Sequence, residues 1–524
     1  MSTPVLDAVL DDDRLDRLLD IAATSTGDAD PITITAPFTG ETIGSVPRSS
    51  AADVERAVDR ARSAQSAWAD RPVAERATIV GRVGDLVLDR SESLFDLIQA
   101  ESGKARLDAL EEVSDVSVTA SYYADSAQSA LSSRSRTGAI PGLTATTEHR
   151  RPVGVVGLIA PWNYPLTLTV SDALPALAAG NAVVLKPANE TPFTALAAAE
   201  LLYDAGVPRD VFQVVTGDGP TVGEALVESV DFVGFTGSTE TGRRVAALAG
   251  ENLVDCSLEL GGKNPAIVCA DAPLEETVTG LLRGSFANAG QLCISIERIY
   301  VEEPVYEEFL DRFVDRTAAL DLGRSLAFDA DVGSLISEAQ LERVTAHVSD
   351  AVADGATVRT GGEPRPDLGP LFYAPTILSD VAAESDLTCE ETFGPVVRVE
   401  PVPDVETAIE RANDSEYGLH ASVWTADADR GRDLATRIDC GTVAVNDAYV
   451  STWGSTDAPM GGMKESGLGR RHGRDGISKY TETQTVAVQR GHPIARPSWL
   501  PRRIAARGFL AFAKGLRWLR RRKP

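Results

Sequence analysis

Hydrophobic residues recur at helical spacing through the first quarter of the chain. Across residues 51–132, apolar side chains follow one another at three- and four-residue steps, as at Val54, Val58 and Ala61. This periodicity is typical of amphipathic surface helices. From Val153 onward, short β-branched runs alternate with helical stretches. Repeated βα units of this kind predict a parallel sheet within an α/β domain.

A second series of strands and helices begins near Asn264. It continues through β-branched runs at 298–301 and 396–402, with a helical stretch at 303–320 between them. We therefore predict a second α/β domain. The turn-rich stretch 137–150 interrupts the first series and resembles a strand outside its sheet, as the later run Thr483–Gln489 does.

Length and charge narrow the class of protein. With 524 residues, 43% of them hydrophobic, the chain is expected to form more than one core. Acidic residues outnumber basic ones 77 to 50, which argues against nucleic acid as a partner because phosphates require a basic face. Only seven of the basic residues are lysine, and an Asp-rich, Lys-poor surface favours a halophilic source.

Cysteine usage and the apolar runs indicate the compartment. The five cysteines form no CxxC pair, which favours a reducing cytosol. The first thirty residues carry an acidic run instead of a basic signal-peptide start, and no uninterrupted apolar run reaches the roughly 18 residues of a spanning helix. The sequence thus predicts a cytoplasmic protein. The five histidines show no metal-site spacing, so no metal is expected.

Three residues in glycine- or proline-flanked motifs carry candidate chemistry. Cys293 ends the run NAGQLC, and Glu259 lies in LELGGK. This pair suggests a thiol nucleophile with a general base. Asn163, in PWNYP, has a side-chain N–H that can stabilise an oxyanion. Together they supply the roles that acyl-type chemistry at a carbonyl requires.

Further motifs connect these three residues to a known family. LKP, FTGSTETG, EETFGP and PMGGMKESGLGR begin at Leu185, Phe235, Glu390 and Pro459. In this combination and order, from about Asp30 to about Arg490, the chain resembles the aldehyde dehydrogenase superfamily. The resemblance implies an α/β fold with two parallel-sheet domains and a small bridging β-sheet that builds a homodimer or homotetramer. The implied segments are an acidic N-terminal extension (1–29), a cofactor-binding domain (30–132 and 151–258), bridging segments (133–150 and 474–490), a catalytic domain (259–473) and a basic tail (491–524).

The resemblance also implies a nicotinamide cofactor. Lys186 would contact the adenosine ribose, Ser238 the pyrophosphate, and Glu391 the nicotinamide ribose. Many NAD-using members carry Glu where this chain has Asn189, with Glu190 one step further on. Asn does not repel a 2′-phosphate as a carboxylate does. NADP is therefore slightly favoured over NAD. The implied cofactor-binding set is Pro161, Trp162, Lys186, Asn189, Gly217, Phe235, Gly237, Ser238, Leu260, Glu391 and Phe393.

The implied reaction oxidises an aldehyde to a carboxylic acid. The Cys293 thiolate, taken as accessible near neutral pH, attacks the aldehyde carbon. Asn163 and the Cys293 N–H hold the oxyanion of the thiohemiacetal. Hydride loss leaves a thioester, which Glu259 helps hydrolyse. Members that pass the acyl group to coenzyme A commonly lack this Glu, so hydrolysis is favoured over an acylating dehydrogenase.

The substrate is suggested by a narrower likeness to succinate-semialdehyde dehydrogenases. A carboxylated aldehyde needs a cation in its pocket, preferably Arg. Ser171 stands where better-known members carry that Arg. Arg298 is the candidate replacement, with pairing to a structural carboxylate as the equal alternative for its side chain. A broad aliphatic or aromatic aldehyde pocket is the alternative. Arg471 and His472 replace a Glu thought to assist proton release, and His472 is a candidate proton shuttle at neutral pH.

The end of the chain differs from the rest in charge. From Arg490 onward it holds eleven Lys or Arg and no acidic residue. Residues 504–519 are helix-compatible, with aromatic residues beside basic ones, which is typical of an interfacial helix on an anionic leaflet. Peripheral contact with the inner membrane face is thus one expectation. A membrane-tethered, non-catalytic scaffold of the same fold is the non-enzymatic alternative.

Overall fold

The computed structural model describes residues 9–24 and 30–521. The chain divides into two compact units, of which the first comprises Met1–Leu131 and Arg151–Glu482. The second comprises Ser132–Arg150 and Thr483–Pro524.

The first unit contains a six-stranded sheet, here called the first sheet. Its strands, in spatial order, are Gly467–Leu468, Asp255–Glu259, Phe232–Thr236, Val155–Ile159, Ala182–Lys186 and Phe212–Val214. All neighbours are parallel except the first pair. The central strands bury almost every side chain, as expected for a parallel sheet covered on both faces. The strand Gly467–Leu468 belongs to this sheet, although it lies within residues 259–473, the segment predicted as the catalytic domain.

Amphipathic helices surround the first sheet, as the three- and four-residue spacing predicts. Helix Ala51–Ala69 buries Val54, Val58 and Ala61, and Ser50 with Asp53 forms a capping box at its start. The helices of this region are Ala51–Ala69, Val73–Asp89, Ser91–Ser102, Arg106–Leu131, Pro165–Ala179, Pro192–Ala205, Glu224–Ser229 and Thr239–Glu251, with short turns at Arg209–Val211 and Gly219–Gly223.

A seven-stranded second sheet confirms the second predicted α/β series. Its strands, in order, are Thr357–Thr360, Thr376–Ser379, Val396–Val402, Ile296–Glu302, Asn264–Val268, His420–Trp424 and Thr442–Val445. Only Thr357–Thr360 is antiparallel to its neighbour. The accompanying helices are Leu274–Phe286, Glu303–Ala318, Glu338–Ala353, Asp386–Cys389, Val405–Asn413, Ala428–Ala435, Val450–Trp453 and Gly473–Ser478.

The described part of the predicted N-terminal extension packs onto the first unit. Helix Asp12–Leu19 begins at Asp11, whose side chain accepts the Arg14 N–H. Leu18 and Ile21 join the hydrophobic core, because this short helix has an apolar stripe that needs cover. Residues 1–8 and 25–29 of the segment lie outside the described residues. A two-stranded sheet, Ile32–Thr35 with Thr42–Val46, follows.

The second unit contains the predicted small sheet and a helix in the tail. Strands Thr481–Gln489, Thr144–Pro152 and Arg134–Arg136 lie in that order. Helix Arg502–Arg521 follows, with Leu510 64% exposed and other large apolar side chains also facing outward. Within residues 9–24 and 30–521, every helix is too short or too polar to cross a bilayer.

Candidate active site

Two cavities in the first unit share Cys293 and Asn163. One, here called the polar cleft, has a volume of about 440 Å³ and is also lined by Glu259, Glu391 and Ser238. The other, the apolar cavity, has a volume of about 280 Å³ and is lined mainly by aliphatic and aromatic side chains. A thiol at the junction of a polar and an apolar space can contact a different molecule on each side.

A constrained turn positions Cys293 after helix Leu274–Phe286. Asn288 and Ala289 have φ of 51° and 54°, and Gly290 has φ of 71°. A Cβ on Gly290 would overlap the main-chain oxygen of Gly394, so this close approach requires glycine. The turn is held by side-chain amides: Asn264 Nδ2 donates to the Cys293 carbonyl at 2.8 Å. The backbone of the predicted nucleophile is therefore fixed by hydrogen bonds as well as by packing.

Burial makes Cys293 a weak acid in this structure. Burial, and then the carboxylates of Glu391 and Glu259, raise the pKa of the thiol to about 12, and Arg471 opposes this rise. This disfavours the thiolate that was expected near neutral pH, because burial and two nearby carboxylates penalise the charged form of this half-buried side chain. Attack on a carbonyl then requires that the thiol lose its proton to a base.

Glu259 is a carboxylate with suitable acidity for that task. It ends the strand Asp255–Glu259 and is 7% exposed, and burial raises its pKa to about 7 while Arg471 and Lys479 limit the rise. Its Oε1 has no hydrogen-bond partner among the described residues. A carboxylate with a free oxygen and a pKa near neutrality fits a general base.

Asn163 lies after the strand Val155–Ile159 and is 4% exposed. Its Nδ2 donates to the carbonyl of Gln291 at 3.1 Å, in the turn that carries Cys293. Asn288 Nδ2 in turn donates to the Asn163 carbonyl at 2.9 Å. The predicted oxyanion donor and the predicted nucleophile are thus joined by a small hydrogen-bonded network.

Arg471 lies near Glu259, and His472 follows it in the chain. Arg471 Nη2 donates to Asp172 at 2.7 Å, and its guanidinium lies 5.3 Å from the Trp453 ring. Burial, and then the Arg471 charge, lower the pKa of His472 to about 3. The predicted role of His472 as a proton shuttle at neutral pH is wrong, because a buried imidazole beside a guanidinium stays neutral. Arg471 supplies a fixed positive charge where a carboxyl was expected from other members.

The polar cleft brings together most of the predicted cofactor residues. It is lined by Pro161, Trp162, Gly237, Ser238, Leu260, Glu391 and Phe393. The rings of Trp162 and Phe393 meet edge to face at 5.5 Å. Glu391 accepts the Gly262 N–H at 3.0 Å, and a Cβ on Gly261 would lie 2.5 Å from its Oε2.

The cleft also has the features that a dinucleotide needs. Helix Thr239–Glu251 begins there, with Ser238 as its cap. A helix N-terminus directs unpaired N–H groups and a positive dipole toward an anion, which suits a pyrophosphate. The residues present therefore fit a nicotinamide dinucleotide.

Four predicted cofactor residues lie outside the cleft lining. Lys186 ends a strand of the first sheet, and its Nζ donates to the Pro187 carbonyl at 3.1 Å. Asn189 is half-buried just beyond it. Gly217 has φ of 149°, and Phe235 packs beneath Gly237, where an added Cβ would lie 2.6 Å from its ring. Phe235 thus supports the cleft wall without lining it.

The structure places Arg298 away from the substrate space. Its guanidinium donates to the main-chain carbonyls of Lys263 at 2.8 Å, Arg411 at 3.1 Å and Ala412 at 3.2 Å. The prediction that Arg298 recognises a substrate carboxylate is wrong, because these donors already bind backbone oxygens. The apolar cavity has no Lys, Arg or His among the described residues that line it, and its charged lining residues are Glu111 and Asp115.

Several residues that hold the site were not predicted from the sequence. Lys104 and Glu112 contact the Asn163 segment from the helical layer, and Asn264 and Gln291 brace the Cys293 turn. Gln291 and Asn264 stand within the quoted motifs or next to them, so a polar residue at a buried motif position was an available signal. Lys104 and Glu112 gave none, because their partners are distant in sequence.

Comparison with known proteins identifies the family. A match to the Aldehyde dehydrogenase family spans residues 24–486. A Mycobacterium tuberculosis protein named "Putative succinate-semialdehyde dehydrogenase (NADP+) 2" is 50% identical over 500 residues, covering 95% of this chain and 96% of that protein. The human 2-aminomuconic semialdehyde dehydrogenase is 39% identical over 463 residues, covering 86% and 94%.

Solved structures agree with this relationship. A crystal structure described as an E. coli NADP dependent enzyme is similar with a TM-score of 0.84 and 36% identity, covering 88% of this chain and 95% of that one. Betaine aldehyde dehydrogenase from Staphylococcus aureus in complex with NAD+ gives a TM-score of 0.86 and 31% identity, covering 93% and 99%. The chain therefore belongs to the aldehyde dehydrogenase family and is an NAD(P)-dependent oxidoreductase acting on aldehydes.

Proposed function

We propose that this enzyme oxidises its aldehyde hydrolytically, with Cys293 as nucleophile, Asn163 as oxyanion donor and Glu259 as base. The observation that carries the proposal is that Cys293 and Asn163 line both cavities. An aldehyde in the apolar cavity meets the sulfur from one side. A nicotinamide bound in the polar cleft supplies the hydride acceptor on the other side.

The residues of the chain account for the proton movements. Cys293 passes its proton to Glu259, which releases it to solvent, as the S–C bond forms. The Asn163 amide and the Cys293 N–H stabilise the oxyanion. Loss of hydride from the carbon leaves a thioester on Cys293. Glu259 then takes a proton from water, whose oxygen attacks the thioester and releases the acid and the thiol. The net change consumes one water and the oxidised cofactor and yields the acid, the reduced cofactor and a proton.

For the cofactor, we propose a preference for NADP. Asn189 carries no charge to repel a 2′-phosphate, although the carboxylates of Glu190 and Asp218 lie near enough to Lys186 to act on its charge. The mycobacterial relative carries NADP+ in its name. We assign to the cofactor site the residues that line the polar cleft and the four predicted residues outside its lining, which are Lys186, Asn189, Gly217 and Phe235. The ratio of kcat/KM for NADP and NAD tests the preference, and Asn189→Glu should move it toward NAD.

For the substrate, we propose succinate semialdehyde, on the name of the mycobacterial relative. The lining of the apolar cavity favours a second candidate, an uncharged aliphatic or aromatic aldehyde, because Glu111 and Asp115 offer a carboxylated substrate no counter-charge. Comparing kcat/KM for succinate semialdehyde, a plain aliphatic aldehyde and benzaldehyde decides between them. Cys293→Ala must abolish turnover on whichever substrate is preferred.

We propose the predicted segments as the working division of the chain, with the cofactor domain at 30–132 and 151–258 and the catalytic domain at 259–473. The small sheet of the second unit is assigned to assembly of a cytoplasmic homodimer or homotetramer, which sedimentation in solution tests. The outward apolar side chains and ten basic residues of the tail favour peripheral binding to anionic lipid. Co-sedimentation with anionic liposomes, with and without residues 491–524, tests that contact.

A further inference from the structure

We propose that the buried ion pair of Lys104 and Glu112 positions Asn163 for carbonyl chemistry. This inference rests on the proposed role of Asn163 and deepens it. Both members of the pair belong to the helical layer over the first sheet: Lys104 precedes helix Arg106–Leu131 and Glu112 lies within it. Neither residue lines the polar cleft or the apolar cavity.

Lys104 holds the main chain of the PWNYP segment. Its side chain is fully buried, and its Nζ lies 2.7 Å from Glu112 Oε1 and 2.7 Å from the Asn163 carbonyl oxygen. The ammonium also lies 3.9 Å from the centre of the Tyr164 ring. One cation thus contacts a carboxylate, a carbonyl and an aromatic face. These contacts hold the main chain of Asn163, whose carbonyl also accepts from Asn288 in the turn that carries Cys293.

Glu112 fixes the other end of the same segment. Its Oε2 accepts the N–H groups of Leu166 at 2.8 Å and Thr167 at 3.1 Å, in the first turn of helix Pro165–Ala179. Tyr164, the residue before this helix, makes no side-chain cap, so Glu112 supplies the acceptor from another element. The pair therefore binds the chain immediately on both sides of Tyr164, within a few residues of the Asn163 amide.

The Asn163 side chain is held in addition to its backbone. Nδ2 uses one hydrogen to bond the Gln291 carbonyl at 3.1 Å, which leaves its second hydrogen for an oxyanion. The direction of that hydrogen depends on where the Asn163 backbone lies. Because a misplacement of about 1 Å can cost roughly a hundredfold in rate, an element that fixes this backbone controls the chemical step.

A second buried glutamate provides a matched control. Glu101 is also fully buried and also accepts first-turn N–H groups, those of Phe193 and Thr194, both at 2.7 Å. Its helix, Pro192–Ala205, carries no residue of the proposed chemistry. Replacing either glutamate removes the same kind of buried helix cap, so a purely structural role predicts similar effects for both.

The experiment uses two variants of the full-length enzyme. One is a double variant that carries both Lys104→Met and Glu112→Gln, and the other is the control variant Glu101→Gln. The double variant removes both buried charges together and keeps the side-chain volumes similar. We measure kcat, KM and the rate at which iodoacetamide alkylates Cys293, because alkylation forms no oxyanion. The expected result is a kcat lowered roughly 10- to 100-fold, with KM and the alkylation rate nearly unchanged. Glu101→Gln should keep the wild-type kcat.

Two results would overturn the inference: a wild-type kcat in the double variant, or an alkylation rate that falls in proportion to kcat. If the double variant does not fold, Glu112→Gln alone is measured in the same assays, with the same expected split between kcat and alkylation. Asn163→Ala separates this inference from the proposed function. If Asn163→Ala keeps the wild-type kcat, the oxyanion role itself fails. If it lowers kcat while Glu112→Gln does not, only the positioning role fails.

Discussion

The side chain of Asn264 holds the main chain of Cys293, with Nδ2 2.8 Å from the Cys293 carbonyl and 2.8 Å from the Ser295 carbonyl. Its Oδ1 accepts the His420 N–H at 3.1 Å, which ties the turn to the second sheet. Asn264 is the first residue of a strand of that sheet, so the Cys293 turn is anchored to a rigid element. One polar side chain thereby connects the core to the proposed nucleophile.

Replacing Asn264 with Ala should impair both stability and turnover. Two buried carbonyls lose their donor, which should cost about 1–3 kcal/mol in the free energy of unfolding, and the freed turn should lower kcat about tenfold. Chemical denaturation and steady-state kinetics measure the two effects. Asn413→Ala is the control, since Asn413 also bonds a backbone carbonyl, that of Arg437, but on the exposed surface. Equal losses of kcat in both variants would contradict this role.

Glu259→Gln should separate hydride transfer from hydrolysis. The amide keeps the shape of the side chain but cannot take a proton from water, so one burst of reduced cofactor should precede a slow steady state. In the wild type, kcat should rise as pH increases through about 7, because the pKa of Glu259 is raised to about 7 and the base acts only when deprotonated. Stopped-flow absorbance from about pH 5.5 to about pH 9 measures both. A variant with wild-type turnover would refute the assignment.

Alkylation of Cys293 in the free enzyme should accelerate into the alkaline range. Only the thiolate reacts, and the pKa of this thiol is raised to about 12, so the rate should still be rising above about pH 9. Peptide mass spectrometry after timed iodoacetamide treatment follows each cysteine separately. The exposed Cys389 serves as internal reference and should react faster at neutral pH. An alkylation rate of Cys293 that reaches its plateau near neutral pH would contradict the raised pKa of this thiol.

Arg298→Met should destabilise the protein without changing substrate preference. The guanidinium bonds three main-chain carbonyls, and the loss of these charge-assisted bonds should cost about 2–3 kcal/mol. The ratio of KM values for succinate semialdehyde and a plain aliphatic aldehyde should stay at its wild-type value. A selective rise in KM for succinate semialdehyde would restore Arg298 as a substrate ligand.

Gly290→Ala should disturb the turn before Cys293. The backbone has φ of 71°, and the new Cβ would overlap the carbonyl of Gly394, so either backbone must move. We expect a lower melting temperature and a kcat reduced about tenfold or more. Gly250→Ala is the matched control: it lies in helix Thr239–Glu251 with open space around its Cβ, and Ala there should maintain or raise the melting temperature. Similar behaviour of the two variants would contradict the crowding argument.

The sequence by itself determined the α/β architecture and pointed to three candidate residues for the chemistry. Apolar periodicity follows from which side of each element faces a core, and that information is local. Motifs are local as well, so Cys293, Glu259 and Asn163 could be identified from the short runs that contain them. The fold brings all three residues to the lining of the polar cleft. The cofactor residues were predicted from the resemblance to the family, since the loops alone indicate an ordinary helix cap.

Only the tertiary structure decided what surrounds those residues. The acidity of Cys293 and His472 depends on burial and on charges from distant segments. From the sequence, the guanidinium of Arg298 was a candidate to bind a substrate carboxylate. In the folded protein it donates hydrogen bonds to the carbonyls of Arg411 and Ala412 instead. Lys104 gave no signal because its partner at Asn163 is reached only when the helical layer packs on the first sheet. Local patterns identify which groups can react, whereas long-range packing sets their charge, direction and support.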